Sequence, residues 1–126
     1  VFLPNEQEAL AIAARPELEQ ALDALAAQIP TVAVKRGADG ALCRQGTQRL
    51  ADPGFTVDVL DTTGAGDSFD AGFVYGYTQG WSLADTLALA CACGALSTRA
   101  AGGTPTQATL DDAQQLIRQR RQVQFR

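Results

Sequence analysis

The stretch Asp61-Thr62-Thr63-Gly64-Ala65-Gly66-Asp67 places two aspartates, two threonines and two glycines in seven positions. Two glycines allow a backbone to take positive φ angles and to come close to a ligand. If the turn feeds a helix, the free amides of the first helical turn and the positive end of the helix dipole together attract an anion, so a phosphate could be held there. Asp67 would then be a carboxylate beside the group to be transferred. The same residues also suit an ordinary glycine-rich turn into a helix, with Asp67 stabilising the dipole. Spacing alone leaves both readings open. Two common nucleotide patterns do not fit. Phe69 stands where the third glycine of a dinucleotide fingerprint belongs, and no Gly-Lys-Ser/Thr follows a four-residue gap as a P-loop requires.

The surrounding elements must present this turn. Before it, "FTVDV" (Phe55–Val59) alternates like a strand. After it, Phe69, Gly72, Phe73, Gly76 and Tyr77 recur at helical spacing, which predicts a helix whose glycines lie on a face that something approaches closely. Gly80 breaks that helix, Ser82 caps the next, and Leu83, Leu87, Ala90, Cys91, Gly94 and Thr98 give the second helix its buried side. Gly102-Gly103 is expected to end it, and Thr109 opens a last helix through Leu110, Ala113, Leu116 and Ile117.

The first half of the chain reads differently. Val1–Leu3 resembles the tail of a buried strand stopped by Pro4, and Asn5 reads as the cap of a helix that Pro16 ends. Leu18, Leu22, Leu25 and Ile29 mark a second helix. Thr31–Lys35, Ala41–Arg44 and Gln48–Ala51 read as strands of a meander joined by turns at Asp39-Gly40 and Gln45–Thr47. Strand-helix alternation, a meander and a terminal group of three helices predict an α/β fold with a partly antiparallel, mixed sheet.

Composition narrows the function. With 126 residues, 46% of them hydrophobic, the chain can build one core. A net charge of −4 argues against a nucleic-acid partner, and the basic cluster of Arg118, Arg120, Arg121 and Arg126 reads as a solvated helix end. Three sparse cysteines and no histidine make a zinc site or a disulfide framework a poor fit and accord with a reducing cytoplasm. No apolar run is long enough for a membrane span or signal peptide, although the chain starts without methionine, so upstream residues are expected.

"DTTGAGDSFDAGF" (Asp61–Phe73) closely resembles the C-terminal signature of the ribokinase-like, or PfkB, family of carbohydrate kinases. "PNEQE" (Pro4–Glu8) resembles its Asn-x-x-Glu motif, "VKRGADGAL" (Val34–Leu42) its nucleotide-side Gly-x-x-Gly hairpin, and "CGALSTRAAGGTP" (Cys93–Pro105) the helix and loop that follow. The resemblance implies a three-layer α/β/α fold. It also implies that residues 1–126 are a single partial domain, the nucleotide-binding and catalytic C-terminal part of a kinase more than twice this length, without the substrate-binding part and lid.

The resemblance further implies roles. Asp67 would be the general base for a sugar hydroxyl attacking the γ-phosphate of ATP, with Gly64, Ala65, Gly66 and the Asp67 amide as anion hole. Asn5 and Glu8 would serve Mg2+, Glu8 through waters, although Asn-x-x-Glu is also a capping box. Lys35, Gly37 and Gly40 would border the nucleotide, for which the alternative is a simple hairpin turn. Cys91 stands where many members carry an asparagine at the adenine, and core packing competes with that role. Asp61 and Thr63, with Gly102 and Gly103, match a K+ site that not all members use; "STRAAGG" is one residue shorter than the usual spacing there. The implied partners are ATP and a small-molecule sugar, in a homodimeric whole protein whose isolated C-terminal part is inactive. The competing functions are a non-catalytic nucleotide-binding or interaction module, and a kinase for a nucleoside or hydroxymethylpyrimidine.

Overall fold

Pro4 has no amide to donate to a ladder, yet the residues around it run beside a strand. Phe2 N donates to Thr31 O at 2.9 Å, Ala33 N to Phe2 O at 3.0 Å and Lys35 N to Pro4 O at 2.9 Å. The N-terminal run therefore lies parallel to strand β1 (Thr31–Lys35), bridging Phe2 to Val32 and Asn5 to Lys35. The proline meets the ladder only as an acceptor, which is the part a proline can play. The computed structural model that shows this describes residues 1–99 and 109–124, and its contacts fall into two units, Val1–Pro53 and Gly54–Arg126.

In the first unit β1 pairs antiparallel with β2 (Ala41–Gln45), and β2 with β3 (Gln48–Asp52), in the order β1-β2-β3. With the parallel N-terminal run the pairing is mixed, as the sequence pattern predicts. Val34 opposes Leu42 and Cys43 opposes Leu50. Helices α1 (Glu6–Ala13) and α2 (Leu18–Ala26) flank Pro16. Ala9, Leu22, Leu25, Val32 and Val34 form the core, with Phe2 and Ile29 packed on it. A side chain such as fully buried Leu22 contributes about 1.5–3 kcal/mol. Opposite charge ties α2 to the meander: Asp23 accepts from both Arg44 and Arg49, and Glu19 accepts from Arg49.

The second unit is helical: α3 (Ala65–Thr78), α4 (Leu83–Ser97) and α5 (Leu110–Gln124). The close approach that the α3 glycines predict is made by α4. A Cβ on Gly72 would lie 3.0 Å from Ala90 Cα, and one on Gly76 would lie 2.9 Å from Thr86 Oγ1. Ser82 Oγ caps α4 by accepting from Asp85 N at 3.1 Å. Thr109 Oγ1 accepts from Asp112 N at 3.2 Å, while Asp112 Oδ2 accepts from Thr109 N at 3.3 Å, so α5 opens on a reciprocal cap.

Four expectations are corrected here. Phe55–Val59 forms no strand: alternation supplies a pattern but not a partner, and among the described residues no backbone hydrogen bond ties residues 55–59 to a neighbour. Tyr77 is 46% exposed, because only the narrow glycine-phenylalanine seam of α3 meets α4. Helix α4 is buried on more than one side, from Thr86 through Ala92, because α3 and α5 both pack on it. The basic cluster is not simply solvated, since Arg120 is half-buried and Arg121 Nη2 donates to Asp85 Oδ1 at 2.9 Å. Gly102, Gly103 and Arg126 lie outside the described residues.

Candidate active site

In the second unit the turn is built from the bottom by Asp61. Its Oδ1 accepts from Thr63 N at 2.9 Å and from Thr63 Oγ1 at 2.7 Å, which closes an Asx turn. Two successive amides, Leu60 N at 2.7 Å and Asp61 N at 3.1 Å, donate to Thr98 O at the end of α4. Ala65 N then returns to Thr62 O at 3.1 Å, and Ser68 N to Gly64 O at 2.9 Å as the first helical bond. Gly64 is the N-cap with φ +79 and ψ 1, left-handed angles that cost a residue with a Cβ roughly 1–2 kcal/mol.

This geometry leaves the amides of Gly66 and Asp67, the second and third of α3, without a partner among the described residues. They point where the dipole is positive, and the exposed Asp67 side chain stands in the same first turn. Thr62 O engages the Ala65 amide, so the open donors are the two that follow it. Gly94 of α4 lies beneath: a Cβ there would meet Ala65 O at 3.3 Å and Phe69 Cβ at 3.5 Å. Asp61, Thr63 and Gly64–Asp67 are thus brought together, and the support of the turn by Thr98 and Gly94 is what sequence reading misses. A glycine inside an otherwise good helix is the signal for the second; a backbone carbonyl leaves none for the first.

In the first unit the structure joins two motifs that are 30 residues apart. Asn5 sits beside Lys35 through the parallel bridge, and Glu6 Oε2 lies 3.5 Å from Arg36 Nε. Beyond Lys35 a single 3-10 turn, Gly37–Asp39, is closed by Gly40 N to Gly37 O at 3.2 Å and Arg36 N to Gly40 O at 2.8 Å. Gly40, at φ 85 and ψ −131, takes a conformation open only to glycine. Asn5 Oδ1 accepts from Glu8 N at 2.8 Å and Glu8 Oε1 accepts from Asn5 N at 2.9 Å, so the capping box is complete.

That box tests the fit for Mg2+. One oxygen of each side chain is already an acceptor for a backbone amide, which leaves Glu8 Oε2 on an exposed residue. Such a carboxylate suits the hydration shell of Mg2+, an ion that keeps several waters and takes its remaining ligands from substrate phosphates. Among the described residues no group of three or more His, Cys, Asp or Glu side chains could hold a metal directly. Thr63 Oγ1 gives its proton to Asp61 and so keeps its lone pairs outward, as a monovalent-cation ligand would. Cys91 is buried within α4 at 6% exposure, so its surroundings are those of a core residue. Burial pushes the Cys43 thiol up to about 12 and also raises that of Cys93.

The chain matches the solved structures over nearly its whole length. A putative ribokinase II from E. coli, in complex with ATP and Mg2+, superposes with a TM-score of 0.86 at 28% identity, covering 94% of this chain and 39% of its own. A double-mutant fructokinase from Vibrio cholerae O395, bound to fructose, ADP and potassium ion, gives 0.81 at 31% identity, with 92% and 40% covered. The fold is therefore the ribokinase-like α/β fold. The model of the pfkB family of carbohydrate kinases matches residues 1–110, and the chain belongs to that family. An uncharacterized sugar kinase of Archaeoglobus fulgidus is 39% identical over 80 residues, 64% of this chain and 32% of the relative. The chain spans about a third of the length of such relatives.

Proposed function

We propose that this chain is the nucleotide-binding and catalytic C-terminal part of an ATP-dependent sugar kinase. One observation carries the reading. A left-handed glycine cap turns into α3 with the Gly66 and Asp67 amides open and the Asp67 carboxylate beside them, in a chain of the carbohydrate kinase family. Asp67 accepts the proton of an acceptor hydroxyl while that oxygen bonds to the γ-phosphorus; the bond from phosphorus to the bridging oxygen breaks, and ADP leaves with its electron pair. The open Gly66 and Asp67 amides of the Gly64–Asp67 turn, and not the Ala65 amide that Thr62 O engages, hold the equatorial oxygens as their charge develops. Lys35, Gly37 and Gly40 border the nucleotide, and Cys91, buried within α4, is a core residue.

Glu8 would hold Mg2+ through waters, with Asn5 fixing Glu8 through the capping box, and the bound ion would supply neutralisation of the β- and γ-phosphate charge. Asp61 and Thr63 would provide ligands of a K+ site; Gly102 and Gly103, assigned to the same site by the sequence, lie outside the described residues. The sugar acceptor, a homodimeric assembly and a cytoplasmic location are part of the same proposal. So is the division of labour in which residues 1–126 serve nucleotide and catalysis, and other parts of the full polypeptide bind the sugar.

The test is MgATP-dependent ADP release by the full polypeptide across a panel of sugars, with wild type and Asp67→Asn side by side. Asp67→Asn is expected to lower kcat by about 10²–10⁴-fold with MgATP binding retained. Near-normal kcat in the variant would remove Asp67 as the base, and no ADP release from wild type on any sugar, nucleoside or hydroxymethylpyrimidine would remove the kinase reading.

A further inference from the structure

The family match ends at residue 110, where α5 begins, yet α5 reaches back to the segment that leads into the Asp61 turn. Arg120 Nη1 donates to Gly54 O at 3.1 Å, and Arg120 Cζ lies 4.0 Å from the centroid of the Phe55 ring. Phe55 in turn packs on Ala88, Leu89, Ala92, Ala113 and Ile117 of the α4/α5 core. The far end of the segment is fixed where Leu60 N and Asp61 N donate to Thr98 O. Residues 54–61 are thus a strap with two anchors. Between them no ladder forms among the described residues, and Val59 and Leu60 are 59% and 68% exposed.

We propose that Arg120 is a positioning residue for the phosphate turn. By holding Gly54 and Phe55 it sets where the strap starts, and so where Asp61 presents its carboxylate to Thr63 at the base of the Gly64–Asp67 turn. A guanidinium does two things there in one geometry: its Cζ lies over the aromatic ring while its Nη1 reaches the carbonyl. Lysine offers a point charge without the plane, so it replaces only part of this. The kinetic consequence rests on the kinase reading above; the structural one does not.

The experiment uses the full polypeptide as wild type, Arg120→Ala, Arg120→Lys and, as a control on the same helix, exposed Arg118→Ala. Amide hydrogen exchange is read at Leu60 and Asp61 and, for global stability, at Leu89 and Ala92 inside α4. Arg120→Ala is expected to speed exchange at Leu60 and Asp61 by about 10-fold while Leu89 and Ala92 stay within about 2-fold. Arg120→Lys should fall between, and Arg118→Ala should match wild type. Unchanged exchange at Leu60 and Asp61, or a rise equal to that at Leu89 and Ala92, overturns the proposal. Should Arg120→Ala not fold, Arg120→Lys and Phe55→Leu give the same reading. With an accepted sugar in hand, kcat should fall about 10-fold in Arg120→Ala with KM for ATP nearly constant, as expected for misplacement rather than lost binding. Unchanged kcat despite faster exchange also overturns it. A wild type that phosphorylates nothing refutes the kinase reading alone, because the exchange result still decides the strap.

Discussion

Asp67 and Glu8 are both exposed carboxylates near the start of a helix, yet their surroundings give them different work. Glu8 has one oxygen committed to the Asn5 amide, whereas Asp67 shares the first turn of α3 with two amides, Gly66 N and its own, that have no partner among the described residues. Glu8→Gln keeps the capping geometry, since an amide oxygen also accepts, so it should cost at most about 0.5 kcal/mol of stability while raising the Mg2+ concentration needed for half-maximal rate. A fall in stability with an unchanged Mg2+ response would leave Glu8 a capping residue only. Cys43 offers a test without a substrate. Its folded thiol is raised by burial from 9.0 to about 12, so the folded state holds a proton that the unfolded chain gives up. Stability is then full below pH 9 and declines as the pH rises toward 12. Cys43→Ala should show less of that decline over the same interval in paired denaturant titrations, although its cavity lowers stability at neutral pH.

At the scale of elements, the α3/α4 seam decides what the turn rests on. Gly76→Ala gains about 1 kcal/mol of helix propensity but drives a methyl to within 3.1 Å of Thr86 Cα, and overpacking of that kind costs about 1–3 kcal/mol. Backbone cannot swing aside as a flexible side chain can, so the net effect is expected to be destabilising, read as a lower denaturant midpoint at unchanged slope. Much of this layer was legible beforehand. Asn5, Ser82 and Thr109 announce helix starts because capping is local chemistry, and the TVAVK run announces β1 because its period is local too. Tyr77 and the FTVDV run were misread for the opposite reason: which face of a helix is covered, and whether an alternating run finds a partner, depend on distant chain. The candidate site divides in the same way. The Asp61–Asp67 turn is contiguous and could be read directly, while Arg120 over Phe55 and the Thr98 carbonyl are tertiary contacts with no spacing to betray them.

For the whole molecule, the share of the relatives that this chain covers sets the expectation. On the proposed roles of the Gly64–Asp67 turn and the Gly37–Gly40 loop, and with only about a third of a relative's length, the purified 126-residue chain should bind ATP weakly and transfer phosphate to sugar far below the rate of the full polypeptide. Calorimetry with MgATP and a coupled ADP assay would check both halves of that statement, and rapid turnover by the isolated chain would overturn the proposed division of labour. The two units also differ in construction. In one, a meander carries its motifs at the end of β1 and the start of α1; in the other, three helices carry a loop.

The glycine seam also fixes the frame on which the turn's one left-handed residue stands. Because Gly72 and Gly76 bring α3 against the backbone and Thr86 side chain of α4, neither helix can slide along the other without collision. To the pair the turn is joined through Gly64 on one side and the Thr98 carbonyl on the other. Because the Gly66 and Asp67 amides belong to α3 itself, a ligand they hold would rest on that frame, and any adjustment on binding would fall to residues 61–63 between the Thr98 carbonyl and the Gly64 cap.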